Sequence, residues 1–130
     1  MTQTKTWHNT IAIDFDGVIS QFGTESEGIP VEGAFDGMTD LMDAGWYIEI
    51  HSGKCNTPDG IAHMMSWFRQ NAPGNILRAI SSKRINVPEG KPTAKIYLDD
   101  RGFTFRSWKE ITPEAMESFR TWWQHPASTK

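Results

Sequence analysis

The chain has 130 residues, enough for one domain. Thirteen Lys plus Arg face 16 Asp plus Glu, a formal charge of −3, which argues against a broadly basic nucleic-acid coat though not against a local basic patch. Apolar residues make up 38 %, with seven Phe, six Trp and two Tyr, so a core can be buried and the composition argues against disorder.

Residues 1–9 are polar and are expected to be ragged. Thr10–Phe15 (Thr-Ile-Ala-Ile-Asp-Phe) is short, β-rich and nearly continuous in apolar character, as a strand buried on both faces would be. Asp16-Gly17 ends it with a turn signal. Gly23, Gly28, Pro30 and Gly33 mark 20–34 as a loop or small flap. Phe35, Met38, Leu41 and Met42 recur at helical spacing, and Gly45 stands where a C-terminal glycine cap belongs. Trp46–His51 is a second short apolar run, ended by Ser52-Gly53. Thr57-Pro58 opens a helix, with the hydroxyl as cap and the proline in the first turn. Ile61, Met64, Met65 and Phe68 follow on one face of it, and Asn71-Ala72-Pro73-Gly74 stops it. The pattern over 75–90 is ambiguous and is read as one strand near Ile76–Ile80 and a loop through Pro88-Glu89-Gly90. Lys95–Leu98 is a further strand, ending at Asp99-Asp100. Phe103-Thr104-Phe105 reads as a short edge strand. Thr112-Pro113-Glu114 opens a last helix with Met116, Phe119 and Trp123 on one face, and a fraying tail closes the chain at 125–130.

Strands alternating with helices predict an α/β domain over 1–130: a three-layer αβα, Rossmann-like fold with a mostly parallel sheet. No apolar run approaches the ~18–20 residues of a membrane span. The start Met1-Thr-Gln-Thr-Lys-Thr-Trp-His8 has no apolar stretch of the secretory kind. Cys55 is the single cysteine, which fits a reducing compartment. The expectation is a cytoplasmic protein without a membrane partner.

In a parallel α/β sheet, ligands bind beyond the carboxyl ends of the strands. Asp14/Asp16, Ser52 and Asp99/Asp100 each fall at such an end, so they are expected to converge on one rim. Two unit charges ~4 Å apart repel by roughly 4 kcal/mol at an effective dielectric near 20. Four carboxyls together therefore need protons or a cation, and Mg²⁺, a hard ion that takes oxygen ligands and is commonly shared with a phosphate, is the natural solution.

Ile11-Ala-Ile-Asp14-Phe-Asp16-Gly17-Val18 resembles the first motif of the haloacid dehalogenase-like (HAD) phosphohydrolases. Ile48-Glu-Ile-His-Ser52-Gly53 resembles their second motif, Lys91-Pro92 their lysine, and Ile96-Tyr-Leu-Asp99-Asp100 their acidic fourth motif. The motifs stand in family order over residues 11–100, about two-thirds of the chain. The resemblance implies a Mg²⁺-dependent phosphatase that hydrolyses a phosphate monoester through an aspartyl-phosphate on Asp14. Asp16 would be the general acid and then the general base. Ser52 and Gly53 would hold the phosphoryl oxygens, and Lys91 would neutralise Asp14 and the phosphate. Asp14, Asp16 (by its carbonyl), Asp99 and Asp100 would bind the metal.

The spacing leaves only a flap over 18–35, and a helix and strand between Ser52 and Lys91, so a small capless member is implied. Such an open site admits a bulky phosphorylated substrate: a nucleic-acid end, a protein or a sugar phosphate. A second subunit of a homo-oligomer is another way to close it. Asp99-Asp100-Arg101 also resembles the acidic motif of phosphatase domains that act on polynucleotide ends. A non-catalytic, regulatory protein that binds a phosphate ligand on the same fold is the alternative from another class.

Taken singly, these residues have plainer readings. Asp-Gly is a common turn, serine a common cap, and a lysine before proline a solvated loop residue. Lys95 rivals Lys91 but falls early in the next strand. Cys55 lacks a visible His-plus-acid arrangement, and Gly53-Lys54 lacks the glycine five residues earlier that a nucleotide phosphate loop needs. His8, His63 and His125 show no ligand spacing, while His51 adjoins the site. Met64, Met65, Trp67 and Phe68 read as core and helix face. Lys83, Arg84, Lys91, Lys95 and Arg101 are either a basic rim around the site or a scattered solvated set.

Overall fold

Isoleucines placed at every second residue build the centre of the molecule. The computed structural model describes residues 4–21, 28–88, 92–98 and 107–117. Its strands are β1 (Thr10–Asp14), β2 (Tyr47–His51), β3 (Ile85–Asn86) and β4 (Ile96–Leu98). They form one sheet in the order β3-β2-β1-β4, and every pairing is parallel. The register aligns Ile85, Ile48, Ile11 and Ile96 in one row, and Ile50, Ile13 and Leu98 in the next. Neighbours in register share a face, so both rows lie on one side of the sheet, and all seven side chains are fully or almost fully buried. Between them run Thr10, Ala12 and Asp14 of β1 and Tyr47, Glu49 and His51 of β2, a far more polar face.

Three helices supply the rest of the core: α1 (Ala34–Asp43), α2 (Pro58–Asn71) and α3 (Gly74–Ser81). Met38 and Leu41, then Met64, Trp67 and Phe68, then Ile76 and Ala79 join the isoleucine rows in a single cluster. With the strands taken in the spatial order β1, β2, β3, right-handed crossovers place all three helices on one face. Asn75 Nδ2 of α3 donates to Thr39 Oγ1 of α1 at 2.8 Å, which ties the two together. The result is an α/β, Rossmann-like arrangement with an all-parallel sheet.

The helix boundaries are set locally. Gly45, at φ +104°, ends α1; its amide donates to the Met42 carbonyl and the Trp46 amide to the Leu41 carbonyl, each at 3.0 Å. This is the paired bonding of a Schellman cap, with Trp46 and Leu41 both buried beside it. Thr57 Oγ1 accepts from the Gly60 amide at 3.0 Å and starts α2, with Pro58 as its first residue. Residues 113–117 are helical, and Thr112 Oγ1 caps the Ala115 amide at 3.0 Å. The expected continuation of that helix through Phe119 and Trp123, the edge strand at Phe103–Phe105 and the tail at 125–130 lie outside the described residues.

One expectation is overturned. Ile76–Ile80 is not a strand but the body of α3, and the strand of this region is β3. A short apolar run does not declare its period. Here Pro73 opens a helix whose residues Ile76 and Ala79, one turn apart, reach the core. The polar run before β1 also makes more contacts than its composition announces. Lys5 Nζ pairs with the buried Glu49 at 2.7 Å, and Thr10 Oγ1 donates to the Thr6 carbonyl at 2.5 Å. No helix among the described residues is long and apolar enough to cross a membrane.

Candidate functional site at the carboxyl ends of the strands

β1 and β2 end level with each other, Asp14 opposite His51. The chain then turns at both ends. The Phe15 amide donates to the His51 carbonyl at 2.9 Å, carrying the parallel pairing one residue further. Past that point Ser52 Oγ donates to Asp16 Oδ2 at 3.2 Å. Asp14, Asp16 and Ser52 are all half-buried, so their polar groups are within reach of solvent and ligand.

The turn after β1 is tight. Gly17 holds φ +88°, and its amide donates to the Ser20 carbonyl at 2.7 Å. A side chain at this φ would be strained. The Ile19 and Ser20 amides both donate to the Phe15 carbonyl. From there the chain forms a flap: Gln21 and Val31 donate their amides to Ile29 and Ile19 at 2.7 and 2.8 Å. Among the described residues, a Cβ added at Gly17 or at Gly53 would meet nothing within 4 Å. After Ser52 a short 3₁₀ turn, Gly53–Asn56, buries Cys55, whose thiol reaches the Ile50 carbonyl at 3.7 Å. Burial pushes that thiol above its ordinary value.

Thus Asp14, Asp16, Ser52 and Gly53 stand at the ends of adjacent strands. β4 ends at Leu98, level with Ile13. Asp99 and Asp100 follow it directly, but they and Lys91 and Arg101 lie outside the described residues. Among the described residues no group of three or more His, Cys, Asp and Glu is placed to hold a metal.

A basic rim is not assembled from Arg84 and Lys95. Arg84 donates to the Trp46 and Met42 carbonyls at 2.9 and 2.8 Å and lies over the Tyr47 ring, at the amino end of β2. The Lys95 amide donates to the Thr10 carbonyl, and its Nζ lies over the Trp7 ring. Thr10 and Asp14 are four strand positions apart, roughly 13 Å. Lys95 therefore sits at the wrong end of the sheet to replace Lys91.

Sequence reasoning set His51 beside the site and Trp67 in the core without seeing the contacts they make, and passed over Trp108. His51 Nδ1 is buried with no hydrogen-bond partner among the described residues, on the residue paired with Asp14. Trp67 and Trp108 send their indole N–H groups to the carbonyls of Gly28 and Val18 at 2.8 and 2.9 Å. Nothing local in the sequence signals any of these contacts. Two clefts of about 670 and 660 Å³ lie elsewhere, one beside α1 and Trp108 and one beside Glu49 and β3, and neither is lined by Asp14, Asp16 or Ser52. No family model, curated protein or solved structure matches this chain.

Proposed function

We propose that this protein is a Mg²⁺-dependent phosphomonoesterase of the HAD-like class, an α/β domain without a cap. The observation that carries the reading is the hydrogen bond of Ser52 to Asp16 across the carboxyl ends of two adjacent parallel strands, just beyond the Asp14–His51 pair. That is where the resemblance needs a nucleophile, an acid and a phosphate-binding hydroxyl to meet. The bonds that tie Gln21 to Ile29 and Ile19 to Val31, and the filling of 58–86 by α2, α3 and β3, support the capless form, because little chain remains for another domain.

In this reading the Asp14 carboxylate attacks phosphorus, and the bond from phosphorus to the leaving oxygen breaks. Asp16 gives its proton to that oxygen. It then takes a proton from the water that attacks the aspartyl-phosphate, and Asp14 is regenerated. Ser52 exchanges Asp16 for a phosphoryl oxygen when substrate binds, since one hydroxyl donates one hydrogen. The Gly53 amide donates beside it, and Lys91 neutralises the phosphate. Such preorganised donors supply much of the rate in phosphoryl transfer.

The donor set suits a hard cation, because the carboxylates and the carbonyl it offers are all oxygens. Asp14, the Asp16 carbonyl, Asp99 and Asp100 would hold Mg²⁺, which would offset charge on the phosphoryl oxygens. The substrate class is a phosphate monoester on a bulky carrier.

The test is hydrolysis of p-nitrophenyl phosphate by the parent and by Asp14→Asn. The parent should release p-nitrophenol and the variant, equally folded, should not. Equal turnover by both would remove Asp14 as nucleophile and end the reading.

A further inference from the structure

Two indole N–H groups hold the loop that carries the acids. Trp67, 8 % exposed in α2, donates from Nε1 to the Gly28 carbonyl of the flap. Its ring also meets Phe15, the residue between Asp14 and Asp16, edge to face with centroids 5.0 Å apart. Phe68 and Phe35 pack on the same ring, so its orientation is over-determined. Trp108, 6 % exposed, donates from Nε1 to the Val18 carbonyl, inside the acid turn itself. It is wedged against α1, where a Cβ added at Gly37 would come within 2.2 Å of its ring. Gly28 and Val18 flank the bridges that join Asp16 to Ser20 and Ser20 to Pro30. The two anchors thus grip the start and the return of one loop.

We infer that Trp67 and Trp108 are positioning residues: their indole N–H groups clamp the acid turn and the flap, and so set where Asp16 stands relative to Asp14 and Ser52. The catalytic part of this inference rests on the phosphatase reading; the clamp itself does not. Buried indole N–H groups are costly to leave unpaired, so both bonds resist opening. A displacement of about 1 Å in a reacting group can cost about 100-fold in rate, so small movements of the turn are expected to be felt.

Trp67→Phe and Trp108→Phe keep a ring and delete the donor. Loss of one such bond should speed local opening about tenfold. In Trp67→Phe the Gln21 and Val31 amides should exchange with deuterium about tenfold faster, while the Ile13 and Ile50 amides hold their parent rates. In Trp108→Phe the Ile19 and Ser20 amides should behave the same way. Under conditions where each variant is fully folded, kcat for p-nitrophenyl phosphate should fall at least about tenfold. Unchanged exchange at these amides, or acceleration spread equally through the core, overturns the clamp. Local acceleration with parental kcat overturns the positioning role. An inactive parent ends the phosphatase reading and the catalytic part with it, while exchange still decides the clamp. Should a variant fail to fold, the parent suffices: the Trp67 and Trp108 indole protons should exchange at least about tenfold more slowly than that of Trp7, which is 46 % exposed. Equal rates overturn the clamp.

Discussion

Gly37→Ala tests the packing that supports the acid turn. Alanine is worth about 1 kcal/mol more than glycine inside a helix, and Gly37 lies in α1, so propensity alone predicts a more stable protein. The space around it predicts the reverse. A Cβ there would come within 2.2 Å of Trp108 Cε3 and 2.7 Å of Cζ3. The ring is held at its far side by the 2.9 Å bond to the Val18 carbonyl, so it moves only by straining or breaking that bond. Overpacking a full core costs about 1–3 kcal/mol and a lost buried hydrogen bond about 1 more. Against the helix gain the net is a loss of about 1–3 kcal/mol, a fall in Tm of roughly 4–12 °C for a chain of this size. The assay is thermal unfolding followed by far-UV circular dichroism. Gly74→Ala in α3 is the control, since its Cβ would meet the flexible end of Arg78 at 3.2 Å, and Tm should stay level or rise slightly. A Gly37→Ala protein as stable as the parent would mean that the close approach of Trp108 to α1 is misjudged.

The remaining predictions concern charge, the thiol and the metal. Lys5→Ala leaves the buried Glu49 carboxylate without its partner. Removing one member of a buried pair costs about 3–5 kcal/mol, but the Lys5 side chain is 40 % exposed, and solvent screening reduces the loss to about 1–2 kcal/mol, read from urea unfolding. A gain in stability would show that Glu49 is satisfied without Lys5. Burial raises the Cys55 thiol in the folded state, so the unfolded chain releases that proton first as pH climbs. Its contribution is intact below the ordinary thiol range and is lost as pH rises through the native value. Between about pH 7 and about pH 10 the parent should therefore lose more stability than Cys55→Ala, and parallel slopes would contradict this. Native Cys55 should also resist a disulfide reagent until urea unfolds the chain. EDTA should stop the phosphatase reaction and excess Mg²⁺ restore it; full activity after chelation would remove the metal from the proposal.

Features written in adjacent residues were legible in the sequence. Thr57-Pro58, Gly45 and the short apolar run Trp46–His51 each act through neighbours a few positions away, and the structure has the start of α2, the end of α1 and β2 (Tyr47–His51) there. α3 was misread because five apolar-rich residues fit either period until something shows which side faces the core. β3, two residues long, offers no pattern at all. At the site, Asp14, Asp16 and Ser52 could be placed because strand ends are local features and the sheet brings them together. The indole anchors could not, since their partners stand 39 and 90 residues away along the chain. Arg84 and Lys95 do not join a basic rim for a related reason. Composition counts Arg84 and Lys95 as free charges, but Arg84 is committed to the carbonyls at the end of α1 and Lys95 is tethered by its own strand pairing.

The register of β1 and β2 links the core to the chemistry. Sliding β2 by one residue would turn Glu49 and His51 onto the isoleucine face and bring Ile48 and Ile50 out of it, a change the burial of both isoleucines forbids. A slide of two residues keeps the faces and is excluded differently. It would carry Ser52 about 7 Å from Asp16. It would also pull Trp46 from the cap of α1, where its amide binds the Leu41 carbonyl and its own carbonyl accepts from Arg84. The glycine cap and the arginine at the amino end of β2 therefore set the height at which Ser52, six residues on from Trp46, meets Asp16. Changes at Gly45 or Arg84 should then disturb the Ser52–Asp16 bond without touching either residue.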